Sequence, residues 1–219
     1  MVSVARICEK IIEQKPFLQE ALSKGIINYG ALTEEIQKRV EEEYGKPVKF
    51  AAIMMALRRL KEKLEHSPIG RAKFSADSDI AVKSDLVEIT VVHHPKTREL
   101  MNTFSTMVDP KQGDFFTVTT GTHEITIICS KRYKKYFLKK IKKEDLLIVV
   151  ENLAAMTVKI PAESFETPGT LYLIARALLW ENINIVEFVS TYTEETIIIN
   201  SKDVGRAFYA LEKVIKENV

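Results

Sequence analysis

Thr167, Pro168 and Gly169 stand where a stretch of alternating apolar residues gives way to a helix-type pattern. Proline suits the first turn of a helix, and glycine lets a ligand approach the backbone closely. Free N–H groups at a helix start, helped by the helix dipole, can hold a carboxylate. The sequence therefore predicts an anion-binding junction here, and the carboxylate of an amino acid is the obvious ligand.

The ammonium group of such a ligand needs an oxygen acceptor, which Asn182, Asn184 or Glu166 could supply. The predicted ligand-binding residues are Thr167, Pro168, Gly169, Thr170, Asn182, Asn184 and Ile185. The alternative is purely structural, with Thr167 capping the helix and Gly169 allowing a tight turn. Caps are far commoner than ligand sites, so both interpretations stay open.

Catalytic and metal-binding patterns are absent from the sequence. It contains no G-x-S-x-G, P-loop, dinucleotide-binding or H-E-x-x-H motif, so we expect no enzyme and no cofactor. Cys8 and Cys129 lie far apart and in no metal spacing, which suits a reducing cytosol. The histidines share no zinc spacing with a cysteine or carboxylate, so no metal is expected. They are His66, His93, His94 and His123.

Residues 131–143 hold eight basic residues and no acid, within a chain of net charge +2. Tyr133, Tyr136, Phe137 and Ile141 fall on one side of the helix predicted here. The charged face could dock nucleic acid or an acidic partner. A solvated outer helix whose lysine stems shield apolar surface is the favoured alternative.

Residues 1–65 carry apolar residues at helical spacing in four successive segments, interrupted at Gly25 and Gly45. The third and fourth helices have a loose helix-turn-helix spacing, in which the second helix would enter the major groove. Candidate nucleic-acid contacts are Lys46, Lys49, Arg58 and Arg59. The segment has twelve basic and ten acidic residues, so a helical dimerisation or partner-docking module is the alternative.

Residues 66–78 are rich in Pro, Gly and Ser and are predicted to be a linker. After it the hydrophobic period changes from 3.6 to 2. Strands are predicted at 80–82, 86–92, 115–120, 125–129, 146–150, 155–160, 185–189 and 196–199. Helices are predicted at 96–108, 132–141, 168–182 and 204–217.

This order repeats strand–helix–strand–strand–helix twice, with a period of about seventy residues. It predicts an α+β protein with two ferredoxin-like sheets, at residues 79–152 and 153–219. The second repeat lacks a fourth strand, whereas the strand at 80–82 precedes the first repeat and is spare. If this spare strand joins the second repeat, the eight strands fill two four-stranded sheets.

The second repeat resembles an ACT domain, and particularly the tandem ACT domains of aspartokinases. The resemblance rests on an ordered set of features from the Thr167-Pro168-Gly169 junction to the last helix. They are the helix with Leu171, Ile174, Ala175 and Leu178, then Asn182-Ile183-Asn184-Ile185, Ser190-Thr191, Asn200, and Asp203 before a helix with Ala207, Leu211 and Ile215. The first repeat matches only in outline, because its loop His93-His94-Pro95-Lys96-Thr97 has no glycine.

The whole chain is similar to archaeal ACT-containing regulators of amino-acid metabolism that carry a helical N-terminal domain. The resemblance implies an amino-acid-sensing regulator whose effector controls how the N-terminal domain engages a target. That target would be DNA, as in a transcriptional regulator, or an amino-acid biosynthetic enzyme without a sensor of its own. We further expect a cytoplasmic homodimer with no signal peptide and no membrane span, since the longest apolar runs are too short to cross a bilayer.

Overall fold

The computed structural model describes residues 2–65 and 74–219. Its contacts divide the chain into two compact units, residues 1–70 and 71–219. His66 and the first part of the predicted linker, residues 66–73, lie outside the described residues.

The N-terminal unit contains the four predicted helices: α1 Val4–Glu13, α2 Pro16–Ser23, α3 Tyr29–Tyr44 and α4 Phe50–Glu65. Gly45 ends α3 in the left-handed region at φ 81°, a conformation that costs glycine little. Apolar faces of all four helices meet in one core, which includes Ile7, Leu22, Ile36 and Leu57.

The C-terminal unit alternates strands with the four predicted helices. Its elements are β1 Ile80–Val92, α5 Pro95–Ser105, β2 Phe116–Thr120, β3 Glu124–Ser130, α6 Lys134–Lys140, β4 Leu146–Lys159, α7 Thr170–Trp180, β5 Ile185–Ser190, β6 Glu194–Asn200 and α8 Val204–Glu217. The strands form one six-stranded sheet in the order β2-β3-β1-β4-β6-β5, with every neighbouring pair antiparallel.

The prediction of two separate four-stranded sheets is wrong. Strand signals 80–82 and 86–92 belong to the single strand β1, and signals 146–150 and 155–160 belong to β4. Asp85 and Asn152 have positive φ, and the β1–β4 register shifts between Lys83 and Leu86. These irregularities break the alternation of side chains, so one long strand looks like two in the sequence.

Each half of the sheet nevertheless has the ferredoxin-like strand order. The first half uses residues 86–92 of β1 and 146–150 of β4 beside β2 and β3. In the second half, residues 80–83 pair with 155–158, so the spare strand is lent across as inferred. The predicted boundary between residues 152 and 153 falls inside β4, at Asn152.

Two helices pack on one face of each half. In the first half, Phe104 of α5 and Phe137 of α6 stack with ring centroids 3.8 Å apart above Ile89 and Ile127. In the second half, α7 and α8 cover β4 and β6, and their buried side chains form one cluster.

Phe74 is buried in this second cluster, and its N–H donates to the Asn218 carbonyl at 2.9 Å. It lies inside the predicted linker 66–78. The described end of that segment, from Phe74 onward, therefore belongs to the C-terminal unit, because the Phe74 side chain is buried in its core.

A further apolar cluster lies on the back of the sheet, away from the helices. Leu86 and Ile128 come from the first half, Ala155 and Ile198 from the second. Val186 of the edge strand β5 also packs here, as does Phe115 beside the opposite edge strand β2. The cluster therefore joins the back faces of the two halves.

Candidate functional site

The junction between β4 and α7 has a different geometry from the one predicted. Helix α7 begins at Thr170, with Gly169 as its N-cap, so Pro168 lies before the first turn and not within it. The Thr167 hydroxyl donates to the Glu163 carbonyl at 2.9 Å and closes the short 3-10 helix Ala162–Glu166. Thr167 therefore does not cap α7.

Gly169 adopts φ 115° and ψ −9°, in the left-handed region where a side chain is strained. The first backbone bond of α7 runs from the Leu173 N–H to the Gly169 carbonyl, at 3.0 Å. The N–H groups of residues 169–172 consequently have no acceptor within the helix. Gly169 is exposed, so an anion can approach this positive end of the helix dipole.

The Thr170 side chain is buried, at 5% exposure, and its hydroxyl makes no hydrogen bond among the described residues. Leaving a buried polar group unsatisfied costs about 1–3 kcal/mol. Thr170 thus leaves an unsatisfied hydrogen-bonding group in the first turn of α7.

Two exposed aromatic side chains stand at the same end of α7. Phe165 and Tyr192 have ring centroids 5.9 Å apart, and they are brought together because the Ile160 N–H donates to the Thr193 carbonyl. This pair was not predicted from the sequence. An aromatic residue inside the polar 3-10 segment was the one signal available.

Asn182, Asn184 and Ile185 lie beyond the opposite end of α7. Eleven residues at 1.5 Å each separate the two ends by about 16 Å. Within one chain the structure therefore does not bring these residues to Gly169 and Thr170. Exposed Glu166 is the predicted acceptor that lies at the Gly169 end.

Asn182 has a structural role of its own. It adopts φ 53°, its N–H donates to the Leu179 carbonyl, and the Ile183 N–H donates to the Leu178 carbonyl. This is the Schellman arrangement, with the usual apolar contact between Ile183 and Leu178. The asparagine is explained by the helix end alone.

The equivalent junction in the first repeat has its polar groups satisfied. Thr97 accepts from the His94 N–H and donates to the carbonyls of Val92 and His94. The His94 ring contacts Asp145 at 2.8 Å, beside an open cavity of about 450 Å³. Helix α5 has Pro95 in its first turn, as the pattern predicted for the second repeat.

The predicted nucleic-acid contacts Lys46, Lys49, Arg58 and Arg59 are all exposed. Lys46 and Lys49 lie in the α3–α4 turn. Arg58 and Arg59 lie in the middle of α4, with Arg58 5.9 Å from the centre of the Tyr29 ring. The structure thus leaves these cations accessible.

The outer face at the start of α4 has little hydrogen-bonding capacity. Ala51, Ala52 and Met55 are the exposed side chains there. Apolar side chains suit contact with a protein surface better than direct reading of base edges.

Half of the basic residues in 131–143 are neutralised. Lys131 and Lys134 pair with Glu151, whose pKa falls because Lys134 donates a hydrogen bond to it. Arg132 pairs with Asp114 and Lys142 with Glu144. The other cations have no carboxylate within 4 Å in the part of the chain that the structure describes; they are Lys135, Lys139, Lys140 and Lys143.

Two buried carboxyl groups were not anticipated from the sequence. Burial raises the pKa of Glu88, and the nearby Glu187 raises it further. Among the described residues, Glu88 Oε2 has no hydrogen-bond partner, and Oε1 accepts one hydrogen bond, of 3.4 Å, from the Thr90 hydroxyl. Burial also raises the pKa of Glu195, which the Ser190 hydroxyl hydrogen-bonds.

Metal sites and reactive thiols are not found among residues 2–65 and 74–219. No three His, Cys, Asp or Glu side chains there are grouped to hold a metal ion. Burial raises the thiol pKa of Cys8 to about 11 and of Cys129 to about 12. No helix in these ranges is long and apolar enough to cross a membrane.

No protein-family model matches the chain, and neither does any curated protein. Among solved structures, it is similar to the ligand-free regulatory subunit of aspartate kinase from Thermus thermophilus. The TM-score is 0.51 at 13% identity, over 62% of this chain and 95% of that one.

Two further aspartate kinases are also similar. That of Clostridium acetobutylicum, described as an allosteric enzyme, gives a TM-score of 0.54 at 16% identity over 69% of this chain. The aspartate kinase of Synechocystis gives a TM-score of 0.50 at 12% identity over 67% of this chain. The chain spans only 36% and 27% of their lengths. At these identities the likeness establishes the fold alone: an antiparallel sheet with helices packed against it, as in the structures named above.

Proposed function

We propose that this protein is a regulatory protein that binds an amino acid at the start of α7. The observation that carries the proposal is the combination at one helix terminus of exposed Gly169 and the unpartnered hydroxyl of Thr170. The free N–H groups would hold the ligand's carboxylate, and Thr170 would add a hydrogen bond. The exposed pair Phe165 and Tyr192 would contact its side chain.

The ammonium group has Glu166 as an acceptor at the same end of α7. Asn182 and Asn184 lie about 16 Å away within one chain, at the far end of the eleven-residue helix. They would reach the ligand only from a second copy, which fits the homodimer expected from the sequence. The similar proteins support this proposal by their names alone, one a regulatory subunit and one an allosteric enzyme.

The N-terminal unit is proposed to carry the response to a target in the cytoplasm, with the protein itself not an enzyme. DNA is one target, contacted through Arg58 and Arg59 in a transcriptional role. A protein target, such as an amino-acid biosynthetic enzyme, is the second candidate. The apolar start of the outer face of α4 favours this second candidate.

A thermal-shift screen with the twenty amino acids tests the effector. A ligand at a hundredfold excess over Kd adds about 2.7 kcal/mol to the free energy of unfolding. At roughly 2–4 °C per kcal/mol for a chain of this size, the melting temperature would rise by about 5–10 °C. We expect one amino acid or a few related ones to do this, and no response to any would refute the effector.

A gel shift against the gene's own upstream region separates the two targets. Binding to DNA should weaken as salt rises and be lost when Arg58 and Arg59 are both changed to alanine. Retention of the shift in that double variant would exclude these arginines as the contacts. No shift in the parent protein would favour a protein target.

A further inference from the structure

The outward face of α7 is apolar along its whole length. Each of its exposed side chains is hydrophobic: Leu171, Tyr172, Ala175, Leu179 and Trp180. An amphipathic surface helix normally places charged and polar residues on this face. Leu179 is 71% and Trp180 75% exposed. We call these five residues and Arg176 the α7 stripe.

Arg176 is the one charged residue of the α7 stripe, and the two aromatic rings flank it. Its guanidinium lies 5.5 Å from the centre of the Tyr172 ring and 5.3 Å from that of Trp180. Exposed cation–π contacts of this kind are individually weak. They restrain the two rings in part, which lowers the entropy that these side chains lose on binding a partner.

The exposed area suits the centre of a protein interface. Large side chains present roughly 150–250 Å² each when fully exposed. From their exposed fractions, the leucines and aromatics of the α7 stripe leave on the order of 500 Å² uncovered. A stable dimer buries about 800 Å² on each partner, with an apolar centre and a polar rim. The stripe would supply most of that area.

The sequence of the α7 stripe is complementary to itself. It reads as a leucine and an aromatic at each end, with Ala175 and Arg176 between them. Two antiparallel copies related by a twofold axis at Ala175 would put Leu171 against Leu179 and bring Tyr172 within one helical turn of Trp180. The small Ala175 would meet its own copy at the axis, where side-chain size limits the approach of two helices.

We propose that the α7 stripe is where two copies of this chain dock, with the two α7 helices antiparallel across a twofold axis. The proposal rests on the self-association stated under the proposed function and identifies its surface. Both other candidates, a different protein and pairing through the edge strand β5, are outcomes of the tests below.

Cysteine cross-linking tests the geometry directly. Ala175→Cys should form a disulfide-linked dimer on mild oxidation, because residues facing each other across the axis come within the ~7 Å between Cα atoms that a disulfide spans. Leu171→Cys alone should not cross-link, whereas Leu171→Cys with Leu179→Cys should. The native thiols Cys8 and Cys129 are buried and should stay reduced. Cross-linking of the single Leu171→Cys variant would indicate parallel helices and overturn the proposal.

Sedimentation analysis of the full chain tests the surface. Trp180→Glu should weaken dimerisation at least tenfold, and Phe17→Glu, at an aromatic residue that is 61% exposed in the N-terminal unit, should not. A dimer that persists unchanged in Trp180→Glu would place the interface elsewhere and refute this inference, while leaving self-association intact. A parent protein that stays monomeric at high concentration would refute both. Neither result depends on the amino-acid screen, so failure of the effector proposal is seen separately.

Discussion

Replacing Glu88 with glutamine should stabilise the protein in a pH-dependent way. Glu88 is 8% exposed on the back face of the sheet, and its Oε2 atom has no partner. Burial first, and then the neighbouring Glu187, raise its pKa. The folded state therefore prefers the protonated carboxyl. The stability that the protonated Glu88 side chain contributes is present at low pH, and it is lost as the pH rises through the raised pKa of this carboxyl.

An uncompensated buried charge costs more than an uncompensated buried amide, so Glu88→Gln should gain about 1–3 kcal/mol at pH 8. At about 2–4 °C per kcal/mol, the melting temperature should rise by several degrees at pH 8. Below the ordinary carboxyl pKa the gain should vanish, because both side chains are then neutral.

The assay is thermal unfolding of parent and variant between pH 4 and pH 8, followed by circular dichroism. Glu195→Gln is the matched control, since Glu195 is also buried but accepts a hydrogen bond from Ser190. It should gain less than Glu88→Gln, or lose stability. An equal gain for Glu88→Gln at every pH, or a loss at pH 8, would refute the assignment of an unpaired buried charge.

Three further substitutions test the packing around the two repeat junctions and the linker. Thr97→Val should cost about 1–3 kcal/mol in unfolding experiments, because it removes a buried hydroxyl that accepts from the His94 N–H and shares its proton between the Val92 and His94 carbonyls. Thr170→Val should leave unliganded stability unchanged or slightly raised, since its hydroxyl has no partner, yet weaken amino-acid binding in calorimetry. Phe74→Ala should lower the free energy of unfolding by about 3–5 kcal/mol, as expected for a buried aromatic side chain. A change below about 1 kcal/mol would show that Phe74 is part of the linker and not of the core.

Helices and their order were predictable from the sequence because each one follows a local 3.6-residue pattern. The single six-stranded sheet was not predictable, because it forms only if the strands β1 and β4 continue past Asp85 and Asn152. Polar residues at those positions resemble loops in the sequence. In the structure they are irregular points inside β1 and β4, held by the strands on either side.

The candidate site was predictable in part. Gly169 at a strand-to-helix junction was visible in the sequence, and its positive φ is now seen. Asn182 was grouped with it as an oxygen acceptor for the ligand's ammonium group, although a helix of eleven residues separates the two. The unpartnered Thr170 hydroxyl and the buried Glu88 depend on which groups the folded chain places around them, which no local pattern reveals.

Amino-acid binding by the Gly169→Val variant tests the central claim most directly. A valine at 169 would block the approach to the helix N–H groups and strain a left-handed backbone, at about 1–2 kcal/mol. Titration calorimetry should use the amino acid selected by the screen, with each variant first confirmed folded by circular dichroism. Binding should be lost in Gly169→Val and retained in Pro95→Ala, at the equivalent junction of the first repeat. If Gly169→Val binds the amino acid as tightly as the parent, the effector site is not at the start of α7.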